Sequence, residues 1–225
     1  TDTTVKDRNL MLEVNTGAFK RLVEHCGKSN VNLVYASSAA VYGRGNVPMQ
    51  EEQEKDILSY YAESKHEMDK FAQEKFAEFE DKKLKLVGLR YFNVYGPRES
   101  SKMKTKMASM IFQLYLQMKS GARPRLFKHG EQTRDQVYVR DAVQATIKAL
   151  EAKKNGVYNV GSGRETSFNK VVEELNKHLQ VDLKPEYIEN PHAHFQPRTL
   201  ADISNTQKFL DYEPAYDIEN GVADY

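Results

Sequence analysis

Short apolar segments alternate along this 225-residue chain with longer segments in which apolar residues recur at helical spacing. Strands are predicted at residues 31–35, 84–92, 137–139 and 157–160. Between and after them lie segments with the periodicity of amphipathic helices, including 107–118 and a long segment that carries Tyr61. Strands separated by helices favour a parallel sheet that is covered by helices on both faces. The sequence therefore predicts an α/β fold.

Three of the predicted helices have residues that indicate a buried face or mark a helix end. The first has an apolar stripe followed by a glycine, a natural stop. These residues are Met11, Val14, Ala18, Leu22, Cys26 and Gly27. Asp141 is expected to cap another helix, with Gln144 three residues on in the manner of a capping box. Ser167 is expected to cap a third, running to about residue 179.

Tyr61 and Lys65 are four residues apart in a segment with helical periodicity. At about 3.6 residues per turn, their side chains project from nearly the same side of the helix. A phenol is a poor base at neutral pH because its ordinary pKa is about 10, and an ammonium group held close to it lowers that pKa. The pair predicts a proton-transfer group, although a partly buried ring beside a solvated lysine gives the same pattern.

Two further blocks flank this pair in the sequence. Residues 37–43 read Ser-Ser-Ala-Ala-Val-Tyr-Gly at the end of a predicted strand, and residues 89–99 read Leu-Arg-Tyr-Phe-Asn-Val-Tyr-Gly-Pro-Arg-Glu. Ser, Tyr and Lys in this order resemble the catalytic set of the short-chain dehydrogenase/reductase superfamily. The surrounding residues resemble its extended branch, which works on nucleotide sugars. Within that branch the third block resembles most the epimerases that act on ADP-heptose.

The resemblance implies inversion of a carbinol centre of a nucleotide-activated sugar, most closely C6 of ADP-glycero-manno-heptose. A bound nicotinamide cofactor would take a hydride and return it to the opposite face. Tyr61 would be one acid/base, Lys65 would lower its pKa and hold the cofactor ribose, and Ser38 would hydrogen-bond the reacting oxygen. Ser38 is preferred over Ser37 because Ala-Ala-Val-Tyr-Gly follows it directly. The implied cofactor is NADP, with NAD as the alternative.

Other reactions and one non-enzymatic role remain open. A UDP-glucose 4-epimerase is the stronger rival, and another nucleotide-sugar dehydratase or reductase is the weaker one. A nucleotide-binding regulator on an inactive dehydrogenase fold is the alternative from a different class. Such regulators typically lose the tyrosine or the lysine. This chain keeps Ser38, Tyr61 and Lys65, which favours an enzyme.

Inversion makes a second acid/base on the other side of the sugar plausible. In the heptose epimerases a lysine after the Gly-Pro-Arg-Glu block has this role, and the matching position here is Lys102. By the same resemblance Lys102 also contacts the cofactor. Two extra residues precede Met107, so Lys104 and Lys106 compete for the role. A solvated, lysine-rich loop is the alternative for all three.

The resemblance also supplies candidate binding residues. Asn93 follows a predicted strand and is expected to contact the substrate, whereas Val94 and Asn15 are expected to contact the cofactor. Arg134 is expected to pair with substrate phosphate through its planar guanidinium group, with a surface ion pair to Asp135 as the alternative. The other expected substrate contacts are Gln113, Phe127, Lys128, His129, Gly130 and Phe195, the last at a position where the family often has tyrosine.

A dinucleotide fold begins with a strand, a glycine-rich turn and a helix. No segment before residue 30 fits, and Gly161-Ser162-Gly163 fails the fingerprint because Thr166 stands where the third glycine belongs. We interpret that segment as a tight turn. The resemblance implies a Rossmann-type parallel sheet whose N-terminal part is missing from this chain, and a smaller C-terminal α/β substrate domain. Residues 1–98 would belong to the Rossmann-type domain and residues 99–225 mainly to the substrate domain. Part of the later segment could return to the Rossmann-type domain.

Composition bounds the remaining expectations. The net charge of +1, with both signs interspersed, gives no sign of a nucleic-acid or membrane partner. The single cysteine, Cys26, excludes an internal disulfide and fits a reducing compartment, and its helical position predicts that it is buried. We therefore expect a cytoplasmic protein, and a homo-oligomer. His129, His192 and His194 lack nearby cysteine or carboxylate ligands, so we interpret them as loop residues and expect no metal site.

Overall fold

The computed structural model describes residues 7–103, 107–189 and 196–225, in which three sheets are surrounded by helices. The central sheet consists of β1 (Leu33–Ser38), β2 (Leu86–Tyr91) and β6 (Gly156–Val160), in that order and all parallel. The parallel α/β fold predicted from the sequence is confirmed. Because β6 comes from late in the chain, the C-terminal half contributes a strand to this sheet.

Two smaller sheets lie outside the central one. In the first, β5 (Thr133–Tyr138) pairs parallel with β3 (Asn93–Tyr95) and antiparallel with β7 (Glu165–Ser167). In the second, β4 (Arg125–Phe127) pairs parallel with β8 (Glu186–Ile188). β3 follows β2 after a single residue, so the end of the central sheet leads directly into the first small sheet.

The predicted first helix is interrupted by a π-helical segment. It comprises α1 (Arg8–Leu12), the π-helical residues Glu13–Gly17, and α2 (Ala18–Ser29). A π turn shifts the helix face that follows it. Met11 and Cys26 are buried as predicted, but Val14 and Leu22 are 60% and 47% exposed. The stripe predicted at even α-helical spacing is therefore wrong in its middle part.

The buried face of this helix is shifted by the same π segment. Thr16, Phe19 and Val23 are buried in place of the predicted residues. Gly27 does not end the helix, which continues to Ser29 and stops at Asn30 in the left-handed conformation.

The helix that carries Tyr61 is α3 (Tyr60–Asp81). The Ser59 side chain caps it by accepting a hydrogen bond from the backbone N–H of Ala62. Its apolar stripe packs with α2 and the first two strands of the central sheet in a cluster that includes Met68, Ala72 and Phe79. Burial of this stripe fixes the position of Tyr61, which lies in the first turn.

The two predicted helix caps have different outcomes. Ser167 caps α6 (Phe168–Leu179) through a bond from the Lys170 N–H, as predicted. Asp141 does not cap α5 (Val139–Lys148), because it lies inside the first turn. Its carboxylate instead accepts hydrogen bonds from the backbone N–H groups of Ala215 and Tyr216, both at 3.0 Å. It therefore holds a distant segment of the chain.

Three further helices complete the fold. They are α4 (Met110–Lys119), α7 (Ser204–Leu210) and α8 (Ile218–Val222). α4, α6 and α8 contribute to one apolar cluster with β5, whereas α5 and α7 pack with the central sheet in another. Within the described residues, no helix combines the length and the apolar character needed to span a membrane.

Candidate active site

A cleft of about 980 Å³ lies beyond the C-terminal end of β1 and alongside β3 and β5. Open α/β folds bind ligands at the carboxyl ends of their strands. Several of the residues predicted from the sequence line it together, although they come from distant parts of the chain. They are Ser38, Tyr61, Lys65, Asn93, Val94, Lys102 and Arg134.

The hydroxyl groups of Ser38 and Tyr61 lie close enough to interact. Ser38 ends β1 and also accepts a bond from the backbone N–H of Ala40, so its side chain is fixed where the strand stops. Burial raises the pKa of Tyr61 above its ordinary value because it disfavours the charged phenolate, and the nearby Ser38 hydroxyl partly opposes this rise. The pair is therefore in place for hydrogen bonding, with Tyr61 in its protonated form at neutral pH.

The expectation that Lys65 lowers the pKa of Tyr61 is not met in this structure. The Lys65 Nζ donates a 2.8 Å hydrogen bond to the carbonyl of Ala36 and lies 5.8 Å from the centre of the Tyr61 ring. Burial also lowers the pKa of Lys65, which the nearby carboxylate of Asp69 partly opposes. The ammonium is thus held by the strand, beside the tyrosine ring and away from its hydroxyl group.

Lys65 nevertheless fits a nicotinamide ribose. An ammonium group has three donors, and the hydrogen bonds of the described residues use one of them on Ala36. The others can bond ribose hydroxyls in the cleft. Val94 is half-buried in the cleft wall and offers an apolar surface for a flat ring.

A buried network beneath the cleft ties α3 to the central sheet. The Asp69 carboxylate accepts hydrogen bonds from Tyr35, Ser37 and Arg90 at 2.8–3.0 Å. The Asp69 and Arg90 side chains are 1% and 2% exposed. Ser37 is thus committed to Asp69, whereas Ser38 reaches Tyr61. The two serines therefore have different surroundings, and the role of Ser38 stays a prediction.

Glu99 anchors the segment that carries Lys102, a feature that was missed in the sequence. Its buried carboxylate accepts bonds from the N–H groups of Gly96 and Ser109 and from the hydroxyls of Ser109 and Tyr225. Lys102 lies one turn later in the 3₁₀ segment Glu99–Met103 and lines the cleft. Lys104 and Lys106 lie outside the described residues. The sequence feature that pointed to this anchor was the glutamate at the end of Gly-Pro-Arg-Glu.

Strand β5 presents Arg134 to the cleft. Burial lowers the pKa of Arg134 to about 10, which leaves the guanidinium charged at neutral pH. Its Nη1 donates to the carbonyl of Thr133 at 2.8 Å. The alternative of an ion pair with Asp135 is wrong, because Asp135 is buried and accepts bonds from Ser162, Gly163 and Ala201.

The same contacts decide the role of Gly161-Ser162-Gly163. The N–H groups of Ser162 and Gly163 donate to Asp135 at 2.6 and 3.0 Å. Gly163 has a φ of +68°, which favours glycine. The segment is a tight turn around a buried carboxylate, as expected, and these N–H groups do not fit a pyrophosphate.

The other predicted binding residues that the structure describes do not line the cleft. The Asn15 amide donates to the Ser64 hydroxyl at 2.9 Å, and the Gln113 amide donates to the carbonyl of Ala108 at 2.8 Å. Phe127 ends β4, and the turn after it contains Lys128, His129 and Gly130. Phe195 lies outside the described residues, as do His192 and His194. The roles assigned to all of these residues stay predictions.

The cleft combines two kinds of groups that chemistry at a carbinol centre needs. Tyr61 and Lys102 both carry exchangeable protons, and they come from different walls, α3 and the segment after β3. Ser38, Asn93 and Arg134 add hydrogen-bond donors. No group of three or more metal-binding side chains occurs among the described residues.

Comparison with known proteins identifies the family. The model of the NAD dependent epimerase/dehydratase family matches residues 1–161. The whole chain is 34% identical to an ADP-L-glycero-D-manno-heptose-6-epimerase from Brachyspira hyodysenteriae and covers 71% of that protein.

Two solved structures are similar over most of the chain. The ADP-L-glycero-D-manno-heptose-6-epimerase of Helicobacter pylori has a TM-score of 0.90 and 41% identity, covering 100% of this chain and 68% of that one. A UDP-N-acetylglucosamine 4-epimerase from Methanobrevibacter ruminantium, solved with UDP-N-acetylmuramic acid, has a TM-score of 0.82 and 30% identity, covering 93% and 68%. The resemblance noted in the sequence is confirmed: the chain belongs to the NAD dependent epimerase/dehydratase family.

Proposed function

We propose that the protein inverts a carbinol centre of a nucleotide-activated sugar, namely C6 of ADP-glycero-manno-heptose. The observation that carries the proposal is the assembly of Ser38, Tyr61, Lys65 and Lys102 around one cleft. It is supported by the similarity to two ADP-heptose epimerases at 34% and 41% identity.

A nicotinamide bound in the cleft supplies the exchange of a hydride with the carbinol carbon. Tyr61 takes the hydroxyl proton on one face as the carbonyl forms, and the second acid/base supplies a proton when the alcohol is restored on the other face. Ser38, whose hydroxyl group lies beside that of Tyr61, holds the reacting oxygen in place. Because burial raises the pKa of Tyr61, the phenol is protonated at neutral pH and needs a positive charge nearby to act as a base.

Lys102 is assigned to the opposite face of the sugar as the second acid/base. The support is its place in the cleft lining, on a segment that Glu99 fixes through four hydrogen bonds. Inversion requires the carbonyl intermediate to present both faces, so proton-transfer groups on two walls suit an epimerase. Contact of Lys102 with the cofactor is part of the same proposal.

Substrate and cofactor are assigned to different parts of the cleft. Asn93 and Arg134 are assigned to the substrate, and the charged guanidinium suits the diphosphate. Lys65 and Val94 are assigned to the cofactor. Roles for Asn15 at the cofactor and for Gln113, Phe195 and residues 127–130 at the substrate rest on the resemblance alone.

The cofactor is a nicotinamide dinucleotide, and we assign it as NADP by the resemblance to heptose epimerases, with NAD as the alternative. Comparison of NADP and NAD affinities in the full-length protein tests this choice. The resemblance likewise supports a homo-oligomer, which light scattering tests. The proposed cytoplasmic location is tested by cell fractionation.

Incubation of the full-length protein with one epimer of ADP-glycero-manno-heptose, followed by chromatographic separation, tests the proposed substrate. We expect both epimers to form without net consumption of nicotinamide. The similarity to a UDP-N-acetylglucosamine 4-epimerase makes UDP-sugars the natural comparison. Turnover of UDP-glucose or UDP-N-acetylglucosamine without interconversion of the heptose would assign the protein to the 4-epimerases.

A further inference from the structure

Gln136 is a polar residue in the cleft that no step of the proposed reaction uses. Gln136 is only 7% exposed, yet it lines the cleft. No side-chain hydrogen bond of Gln136 occurs among the residues that the structure describes. Its amide atoms are not among the buried polar atoms that lack a partner in the described residues, so they are open to the cleft. The amide is therefore placed to exchange hydrogen bonds with a ligand in the cleft.

The strand geometry shows which part of a ligand Gln136 meets. Side chains alternate along a strand, so Arg134 and Gln136 share one face of β5, and both line the cleft. The buried carboxylate of Asp135 is on the other face, bonded to Ser162 and Ala201.

The neighbouring strand β3 adds another polar residue to this side of the cleft. Asn93 on β3 is the register partner of Gln136, and it also lines the cleft. Paired strands are about 4.8 Å apart. Two amide side chains are thus adjacent at the base of the cleft, with the guanidinium of Arg134 two residues along the strand from Gln136.

We propose that Gln136 is a specificity-determining residue that binds the hydroxyl groups of the substrate's sugar. This rests on the proposed function, in which Arg134 holds the diphosphate. An amide offers both a donor and an acceptor, which matches neighbouring hydroxyls on a sugar ring or side chain. A diphosphate offers only hydrogen-bond acceptors, and the adjacent guanidinium of Arg134 can bind it. Gln136 therefore acts on the sugar and leaves the nucleotide to other residues.

The test compares the affinity of the full-length protein for ADP-heptose with its affinity for ADP, by calorimetry. Gln136→Met keeps the length of the side chain and removes its polar atoms. We expect affinity for ADP-heptose to fall about 10-fold, as for loss of about 1.4 kcal/mol of binding free energy. Affinity for ADP should change less than about 2-fold, because hydrogen bonds to the sugar are absent from that complex.

Two further variants make the result specific. Gln144→Met changes a glutamine of α5 that bonds the N–H of Glu213 outside the cleft, and it should bind both ligands like the wild type. Gln136→Glu keeps the length but brings a negative charge beside the diphosphate site, so it should weaken both ligands. It serves as the second variant if Gln136→Met does not fold, and unchanged ADP-heptose affinity in it overturns the inference.

Each outcome is decisive. Equal ADP-heptose affinity in Gln136→Met and wild type overturns the inference, and so does an equal loss for ADP and ADP-heptose. If the wild type binds ADP-heptose without epimerising it, the proposed function fails, whereas the comparison of affinities still decides the role of Gln136. Failure of the wild type to bind ADP-heptose overturns both.

Discussion

The ammonium nitrogen of Lys65 lies 2.8 Å from the carbonyl oxygen of Ala36, two residues before Ser38. This bond joins the first turns of α3 to the end of β1. The Tyr61 hydroxyl lies beside that of Ser38 at the same junction. Lys65 therefore has a positioning role at the strand in addition to any contact with a cofactor.

Lys65→Met should weaken cofactor binding and reduce turnover together. The substitution removes the bond to Ala36 and the positive charge near the assigned ribose site. Titration of nicotinamide dinucleotide into the full-length variant measures the first effect, and steady-state kinetics the second. Wild-type cofactor affinity in this variant would contradict the assignment of Lys65 to the ribose.

Tyr61→Phe should reduce kcat by about 10²–10⁴-fold, because positioned proton transfer commonly contributes that much. The ring stays, so its packing at the start of α3 is kept and the melting temperature should be near that of the wild type. Steady-state kinetics and thermal denaturation together check this. A variant with near wild-type kcat would show that Tyr61 is a packed aromatic residue only.

Lys102→Met should abolish epimerisation while the protein still binds nicotinamide, because Lys102 is assigned to the opposite face of the sugar. Epimer formation and cofactor titration measure the two properties. Lys104→Met and Lys106→Met are the matched controls and should stay active.

If one of these controls is inactive while Lys102→Met is active, the second acid/base belongs to that lysine. If all three variants epimerise at the wild-type rate, the hypothesis of a second lysine base fails for this protein.

Arg90→Met should destabilise the fold by roughly 3–5 kcal/mol, because it leaves the buried carboxylate of Asp69 without its counter-charge. The free energy of unfolding in urea measures this loss. Arg125→Met is the control, since the 3.7 Å pair of Arg125 with Glu186 is exposed on both sides. It should cost about 1 kcal/mol or less. Equal stability of the two variants would contradict the structural role of the Asp69–Arg90 pair.

The α/β fold and several residues of the cleft could be predicted from the sequence because each depends on local pattern. Tyr61 and Lys65 follow from helical spacing, and the cap at Ser167 follows from residue type. The π segment at residues 13–17 could not be predicted, because it is a change of hydrogen-bond register within a helical pattern. That change moved burial from Val14 and Leu22 to neighbouring positions.

Long-range partners account for the other misses. Asp141 has the residue type of a cap, but its carboxylate bonds residues more than 70 positions later in the chain. The ties of Glu99 to Tyr225 and of Asp69 to Arg90 likewise join segments far apart in sequence. Gln136 becomes notable only when the strands are paired and its side chain is found in the cleft.

The most direct test of the central claim is epimerisation of ADP-glycero-manno-heptose by the full-length protein in D₂O, with the deuterium content at C6 measured by mass spectrometry and NMR. Transient oxidation keeps the carbon-bound hydrogen within the site, so we predict both epimers with no deuterium at C6 and no net change in nicotinamide. Incorporation of one deuterium at C6 for each inversion would contradict the account, because it would mean that the C6 hydrogen exchanges with water.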